Sequence, residues 1–205
     1  MDLASPIRSI IPSAYGPVLA ALVRAGRPMS GRQIAALVAG QVGRSRVNSV
    51  LGELAASGLV LHDSHPPSVL YQFNRAHVAA PFIESLAGLR ELLLERLRGE
   101  IAGWQSPAEA VWLFGSAARG DGTDESDIDI MVIRQEAVAE SDAQWRTQLS
   151  DLAAKVTAWT GNSCEILELS GQDLAAQVAQ RTRLVTEVRR DAIPLGGKAP
   201  ATLLD

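Results

Sequence analysis

The sequence has one cysteine, Cys164, in 205 residues. A disulfide framework within the chain is therefore excluded, and so is a zinc site built from cysteines. No run of 18 apolar residues occurs, so no helix is expected to span a membrane. The segment after Met1 opens on Asp2 and lacks a long apolar stretch. That argues against a secretory signal and makes a reducing cytoplasm the expected compartment. Internal repeats and low-complexity tracts are absent. Histidine is scarce: His62, His65 and His77 are the 3 present. Asp63 alone would be a poor further ligand beside them, so they read as solvated residues. What the chain does have is 47% hydrophobic and 20% charged residues, enough for one good core or two small ones.

Charge is unevenly spread. Residues 1–80 hold Arg8, Arg24, Arg27, Arg32, Arg44, Arg46 and Arg75 against Asp2, Glu53 and Asp63, a net +4. That leaves −8 for the remainder of a chain whose total is −4. A basic first third on an acidic body suggests two jobs, one of them facing a polyanion.

Hydrophobic spacing organises that first third. Tyr15, Val18, Leu19, Leu22 and Val23 predict a helix that Gly26-Arg27-Pro28 ends. Ser30 and Gln33 have capping-box spacing, and Ile34, Leu37 and Val38 continue a second helix on one face. A third helix is expected from about Ser45 to Ser57, with Val47, Val50, Leu51 and Leu54 inward. Leu59–Leu61, a polar tip at 62–67 and Val69–Phe73 then form a hairpin signature. Three short helices and a hairpin resemble a winged helix-turn-helix across residues 13–78. The resemblance implies DNA binding through the exposed side of the third helix, where Arg44, Arg46, Asn48 and Ser49 stand.

From Pro81 to about Trp104 one long linker helix is expected. Its stripe of Phe82, Leu86, Leu89, Leu93, Leu97 and Ile101 suits core or subunit packing, including a homodimer. Beyond it the pattern alternates. Ala110–Phe114, Asp127–Ile133 and Cys164–Leu169 read as strands. Residues 141–160, 172–180 and 182–190 read as helices, 192–195 as a short last strand, and 196–205 as a loose tail.

The chemistry concentrates in Leu113-Phe114-Gly115-Ser116-Ala117-Ala118-Arg119-Gly120 and Ser126-Asp127-Ile128-Asp129-Ile130. Alternate strand residues share a face, so Asp127 and Asp129 project together. Two carboxylates that close repel unless a cation intervenes, and hard oxygen donors suit Mg²⁺ or Mn²⁺. Gly115 after a buried strand lets backbone approach a ligand, Ser116 adds a hydroxyl, and Arg119 lies one turn on. A phosphate cradle beside two carboxylates is a phosphoryl-transfer arrangement.

These residues resemble the signature of the DNA polymerase beta nucleotidyltransferase superfamily, and their spacing resembles its minimal members, over about residues 105–195. The resemblance implies an α+β chain: a winged helix-turn-helix (1–80), a linker helix (81–104), a small nucleotidyltransferase domain with a mixed sheet (105–196) and a tail (197–205). It implies transfer of a nucleoside monophosphate from ATP or another triphosphate to an acceptor hydroxyl. In that reading Asp127 and Asp129 bind metal, and Gly115, Ser116, Arg119 and Ser126 bind the nucleotide. Glu165 supplies a third acid, with Glu168 the other candidate. The acceptor is a partner protein of toxin type, an RNA end or a small molecule. The alternative is a transcriptional regulator whose nucleotidyltransferase fold only binds nucleotide.

Overall fold

The computed structural model describes residues 1–65 and 68–204. Pro66 and Pro67 of the expected wing tip, the side chain of His65, and Asp205 of the expected tail lie outside the described residues. The chain divides into two compact units: Ser5–Arg90, and Met1–Ala4 with Glu91–Asp205.

In the first unit a 3-10 turn at Pro6–Ser9 precedes helix α1 (Tyr15–Ala25), which buries Val18, Leu19 and Leu22. A two-residue strand, β1 (Met29–Ser30), leads into α2 (Gly31–Leu37). The capping box is formed: Ser30 Oγ accepts from Gln33 N at 3.3 Å and Gln33 Oε1 accepts from Ser30 N at 2.8 Å. Helix α3 (Arg44–Ala56) turns Val47, Val50, Leu51 and Leu54 into the same core. Strands β2 (Val60–His65) and β3 (Ser68–Phe73) pair antiparallel, and β1 joins the other side of β3 through Met29↔Tyr71, giving the order β1-β3-β2. This is the element order of a winged helix-turn-helix.

Two local expectations change here. Leu37, the last residue of α2, is 58% exposed rather than inward, and Val38 after it is the one that is buried. His77 is half-buried rather than solvated: its Nδ1 accepts from Ala79 N at 3.1 Å and its carbonyl accepts from Ala80 N at 2.8 Å. It thereby satisfies free amides at the start of the next helix.

The single long helix is also corrected. Residues 80–102 form two helices, α4 (Ala80–Ala87) and α5 (Leu89–Ala102), interrupted at Gly88. Glycine is among the weakest helix formers, so an interior Gly88 is where the ladder gives way. The apolar stripe splits with it. Phe82 is 71% exposed, whereas Leu93, Leu97 and Ile101 are buried in the core of the second unit.

The second unit is a four-stranded mixed sheet. Its elements are β4 (Ala110–Phe114), α6 (Gly115–Arg119), β5 (Ile128–Arg134), α7 (Ala143–Thr160), β6 (Cys164–Ser170), α8 (Gly171–Ala179), α9 (Arg183–Asp191), β7 (Ile193–Gly197) and α10 (Pro200–Leu204). The strand order is β6-β5-β4-β7. Strands β5 and β6 run parallel and the other pairs antiparallel.

Alternation along β5 serves both faces. Ile128, Ile130 and Val132 pack with α5 and with Trp145, Leu152 and Val156 of α7. Met131 and Ile133 join Trp112 against Leu174, Val185, Val188 and Leu204. The expected loose tail is therefore a correction. Gly196 and Gly197 belong to β7, and α10 buries Leu204. The Trp112 indole donates to the Lys198 carbonyl at 2.7 Å. A buried apolar end and a satisfied indole outweigh the glycines that made this segment look loose. Among the described residues no helix is long and apolar enough to cross a membrane.

Candidate active site

Strand β4 ends at Phe114, whose register partner on β5 is Asp129. On its other side Asp129 is paired with Glu165 of β6. Neighbouring strands lie about 4.8 Å apart and paired residues point to the same face, so these two carboxylates stand side by side. Asp127, expected as the first strand residue, lies just ahead of β5 and is near enough for its charge to act on Asp129. Alternation also places Leu167 and Leu169 on the face of Glu165, and both pack with Met131 and Ile133. The acidic group thus sits at the end of an apolar layer.

Gly115 closes the site from the β4 side. Its φ is +68°, and a Cβ built there would stand 2.3 Å from Asp129 Oδ2. Only glycine takes that left-handed turn at little cost and also admits the carboxylate. The chain then enters the five-residue helix α6, whose Ser116 carbonyl accepts from Gly120 N at 2.9 Å and Asp121 N at 3.2 Å.

Electrostatics follow from the packing. The Asp129 carboxyl is held above its ordinary range, first by burial, then by the charges of Asp127 and Glu165; Arg119 pulls the other way. The Cys164 thiol is pushed up to about 12, first by burial and then by the charges of Glu165 and Asp129, so it is no nucleophile at neutral pH. A cation would relieve the repulsion at Asp129. Among the described residues no group of three or more His, Cys, Asp or Glu side chains is closed enough to hold a metal by itself. The donors fit an ion that takes one or two carboxylates and completes its shell with water and phosphate oxygens, as Mg²⁺ does.

The other sequence candidates are placed differently. Arg119 is engaged: its Nε donates to Asp121 Oδ2 at 3.0 Å and its NH1 lies 3.5 Å from Asp191 Oδ2. Its pKa is raised, chiefly by the hydrogen bond to Asp121. Asp191, with a side chain only 12% exposed, also accepts from Arg190 at 2.6 and 2.8 Å. The Arg190 bond is the main reason its carboxyl titrates below the ordinary range. Ser126 faces its own loop, accepting from Thr123 N at 2.9 Å.

Glu168 lies three residues from Glu165 and so faces the opposite side of the sheet. There it accepts from Arg134 Nε at 2.7 Å and Trp145 Nε1 at 3.0 Å. A groove of about 660 Å³ also opens on that opposite face, lined by Arg146, Leu149, Cys164, Ile166 and Glu168. It is separate from the carboxylate group.

In the first unit, Arg44, Arg46, Asn48 and Ser49 are all exposed on α3. Arg46 NH1 donates to Ser49 Oγ at 3.3 Å and Glu53 Oε1 at 3.2 Å, and its guanidinium lies 5.6 Å from the Tyr15 ring centroid. Asn48 leans on the start of α2, where a Cβ on Gly31 would meet its Oδ1 at 2.7 Å.

Residues that the sequence did not single out for function are Asp191, which braces Arg119, and Asn162, which holds the loop before Asp127. Both act across long sequence separations.

Residues 100–191 match the family model described as polymerase beta, nucleotidyltransferase. No curated protein matches the chain. Among solved structures, a toxin–antitoxin structure with AMP-PNP contains a chain 20% identical, with 56% of this chain and 80% of that chain covered and a TM-score of 0.35. A minimal nucleotidyltransferase is 28% identical, with 54% and 93% covered and a TM-score of 0.33. An archaeal chromatin protein whose structure shows a novel mode of DNA binding is 13% identical, with 91% and 78% covered and a TM-score of 0.32.

Proposed function

We propose, from the match of residues 100–191 to the polymerase beta nucleotidyltransferase family model, that this chain transfers a nucleoside monophosphate, ATP being the expected donor, to a hydroxyl on a partner protein. The observation that carries the reading is the row Phe114–Asp129–Glu165 across three strands, closed by Gly115 against the Asp129 carboxylate.

Asp127 and Asp129 would hold Mg²⁺ or Mn²⁺, which when bound supplies charge neutralisation for the triphosphate and the leaving pyrophosphate. Backbone at Gly115 and the Ser116 hydroxyl hold the terminal phosphates. Arg119 adds a charge there once Asp121 gives it up. Glu165 is exposed on an edge strand, so a hydroxyl carried on a macromolecule can reach it. The carboxylate orients that hydroxyl and takes its proton. The hydroxyl oxygen bonds to the α-phosphorus, and the bond from that phosphorus to the bridging oxygen breaks. Pyrophosphate leaves with the electron pair.

The first unit is proposed to dock on DNA through α3. The support is the exposed row Arg44, Arg46, Asn48 and Ser49 on a unit of net positive charge. Docking would require Arg46 to exchange Glu53 for a phosphate or a base edge.

The test is nucleotide binding by calorimetry together with pyrophosphate release in the presence of Mg²⁺ and a lysate fraction, for wild type and Asp127→Ala/Asp129→Ala. Release by the wild type alone supports the transferase. Binding without release would move the reading to a nucleotide-sensing regulator. Loss of both would leave the winged helix as the working part.

A further inference from the structure

We infer that Asn162 is a positioning residue for the metal pair, fixing the backbone on which Asp127 stands; this rests on the metal reading of Asp127 and Asp129. Helix α7 stops at Gly161, whose φ of +77° reverses the chain and sends the next side chain inward. Asn162 is only 2% exposed. Its Nδ2 donates to the carbonyls of Ser126 at 2.9 Å, Asp124 at 3.3 Å and Thr123 at 3.4 Å. Its Oδ1 accepts from the Met1 amine at 2.6 Å, and its own amide donates to Thr160 Oγ1 at 3.1 Å. The side chain is therefore saturated with partners at both ends, and three of the bonds converge on one loop.

The loop's other bonds, Thr123 N to Ser126 Oγ at 2.9 Å, Ser126 N to the Thr123 carbonyl at 3.3 Å and Ala4 N to the Gly122 carbonyl at 2.8 Å, do not reach the 126–127 peptide. Asp121, Thr123, Asp124, Glu125 and Asp127 are all exposed, so side-chain burial does not fix their backbone. The next residue of the clamp completes the hold: Ile128 N donates to the Ser163 carbonyl at 2.8 Å. Asp127 is thus bracketed, with its preceding peptide tied to Asn162 and its following peptide tied to Ser163. Asp127 itself is exposed, two residues before Asp129. The end of α7 is capped without this side chain, by Gly161 N donating to the Thr157 carbonyl at 2.8 Å. The three loop carbonyls are served for a different purpose, the orientation of the 126–127 peptide. Groups that orient metal ligands from outside typically cost about 10–100-fold in metal affinity when removed.

The experiment compares wild type, Asn162→Ala and Asn162→Ser by hydrogen–deuterium exchange and by Mn²⁺ titration followed by electron paramagnetic resonance. Leu174→Ala, on the buried face of α8, controls for general loss of stability. Both Asn162 variants should raise exchange at 123–127 by about tenfold or more and weaken Mn²⁺ binding by about 10–100-fold. Leu174→Ala should lower the melting temperature while leaving both readouts near wild type. The serine variant keeps a short polar group and serves if the alanine variant fails to fold. Unchanged Mn²⁺ affinity in a folded Asn162 variant overturns the inference, whether or not exchange rises. Equal loss in Leu174→Ala overturns it too. Wild type that binds no Mn²⁺ overturns the metal reading itself, and is told apart because the variants then have nothing to lose.

Discussion

The contact between Gly115 and Asp129 yields a prediction with a worked magnitude. In Gly115→Ala the new Cβ must tolerate a φ of +68° and would lie 2.3 Å from Asp129 Oδ2. The left-handed backbone costs about 1–2 kcal/mol for a residue with a Cβ. Displacing a packed carboxylate adds roughly 1–3 kcal/mol as overpacking. The sum, about 2–5 kcal/mol, corresponds to a melting temperature lower by roughly 8–20 °C for a domain of this size. In an Asp129→Ala background the nearest remaining atom is the residue 129 Cβ, at 3.5 Å. That is ordinary contact, so only the backbone cost of about 1–2 kcal/mol should survive. A double-mutant cycle by chemical denaturation should therefore return a coupling of roughly 1–3 kcal/mol. Additive effects within error would refute the close approach and with it the shape argued for the site.

Three further outcomes are expected. Asp129 has a raised carboxyl pKa in the folded state, so the native protein holds that proton more tightly than the unfolded chain. The resulting penalty appears as pH rises above the ordinary value of 3.8 and is complete above the raised one. Asp129→Asn should stabilise the metal-free protein at neutral pH in denaturant melts, and the gain should vanish in acid; a gain that persists at low pH would contradict the cause assigned. Glu165→Gln should slow transfer by about 10²-fold or more with little change in stability. Glu168→Gln should instead lose about 1–3 kcal/mol of stability through Arg134 and Trp145 and leave transfer within about twofold of wild type, and the reverse pattern would exchange their roles. Finally, Arg44→Ala/Arg46→Ala should weaken DNA binding and reduce its salt slope by roughly 2 in fluorescence anisotropy titrations; an unchanged slope would remove α3 from the interface.

How much of this was legible in the sequence depends on how local the cause is. The capping box at Ser30 and Gln33, the strand 110–114 ending on Gly115, and the alternation that sets Asp127 and Asp129 apart from Ile128 and Ile130 are set within a few residues. They read directly. The side on which Glu165 and Glu168 fall also follows from strand period, once the parallel pairing of β5 with β6 is known; sequence alone does not supply that pairing. The break at Gly88 was hidden because the apolar stripe continues in register across it while serving two cores. The last segment was misread because glycines at 196 and 197 suggest looseness, and only the burial of Leu204 and the Trp112–Lys198 bond supply the opposing free energy. Asp191 and Asn162 were invisible for a similar reason. The partners that matter to the site, Arg119 for Asp191 and the loop carbonyls of Thr123, Asp124 and Ser126 for Asn162, lie tens of residues away, and nothing in a one-dimensional pattern distinguishes a bracing side chain from a solvated one.

The most direct measurement of the central claim is label transfer from ATP carrying radiolabel at either the α or the γ position, incubated with the purified chain, Mg²⁺ and lysate from the source cells. The account predicts that α-label appears on a protein band, that γ-label does not, and that the band disappears with Asp127→Ala/Asp129→Ala. Transfer of the γ-label, or α-labelling that survives the double substitution, would contradict it.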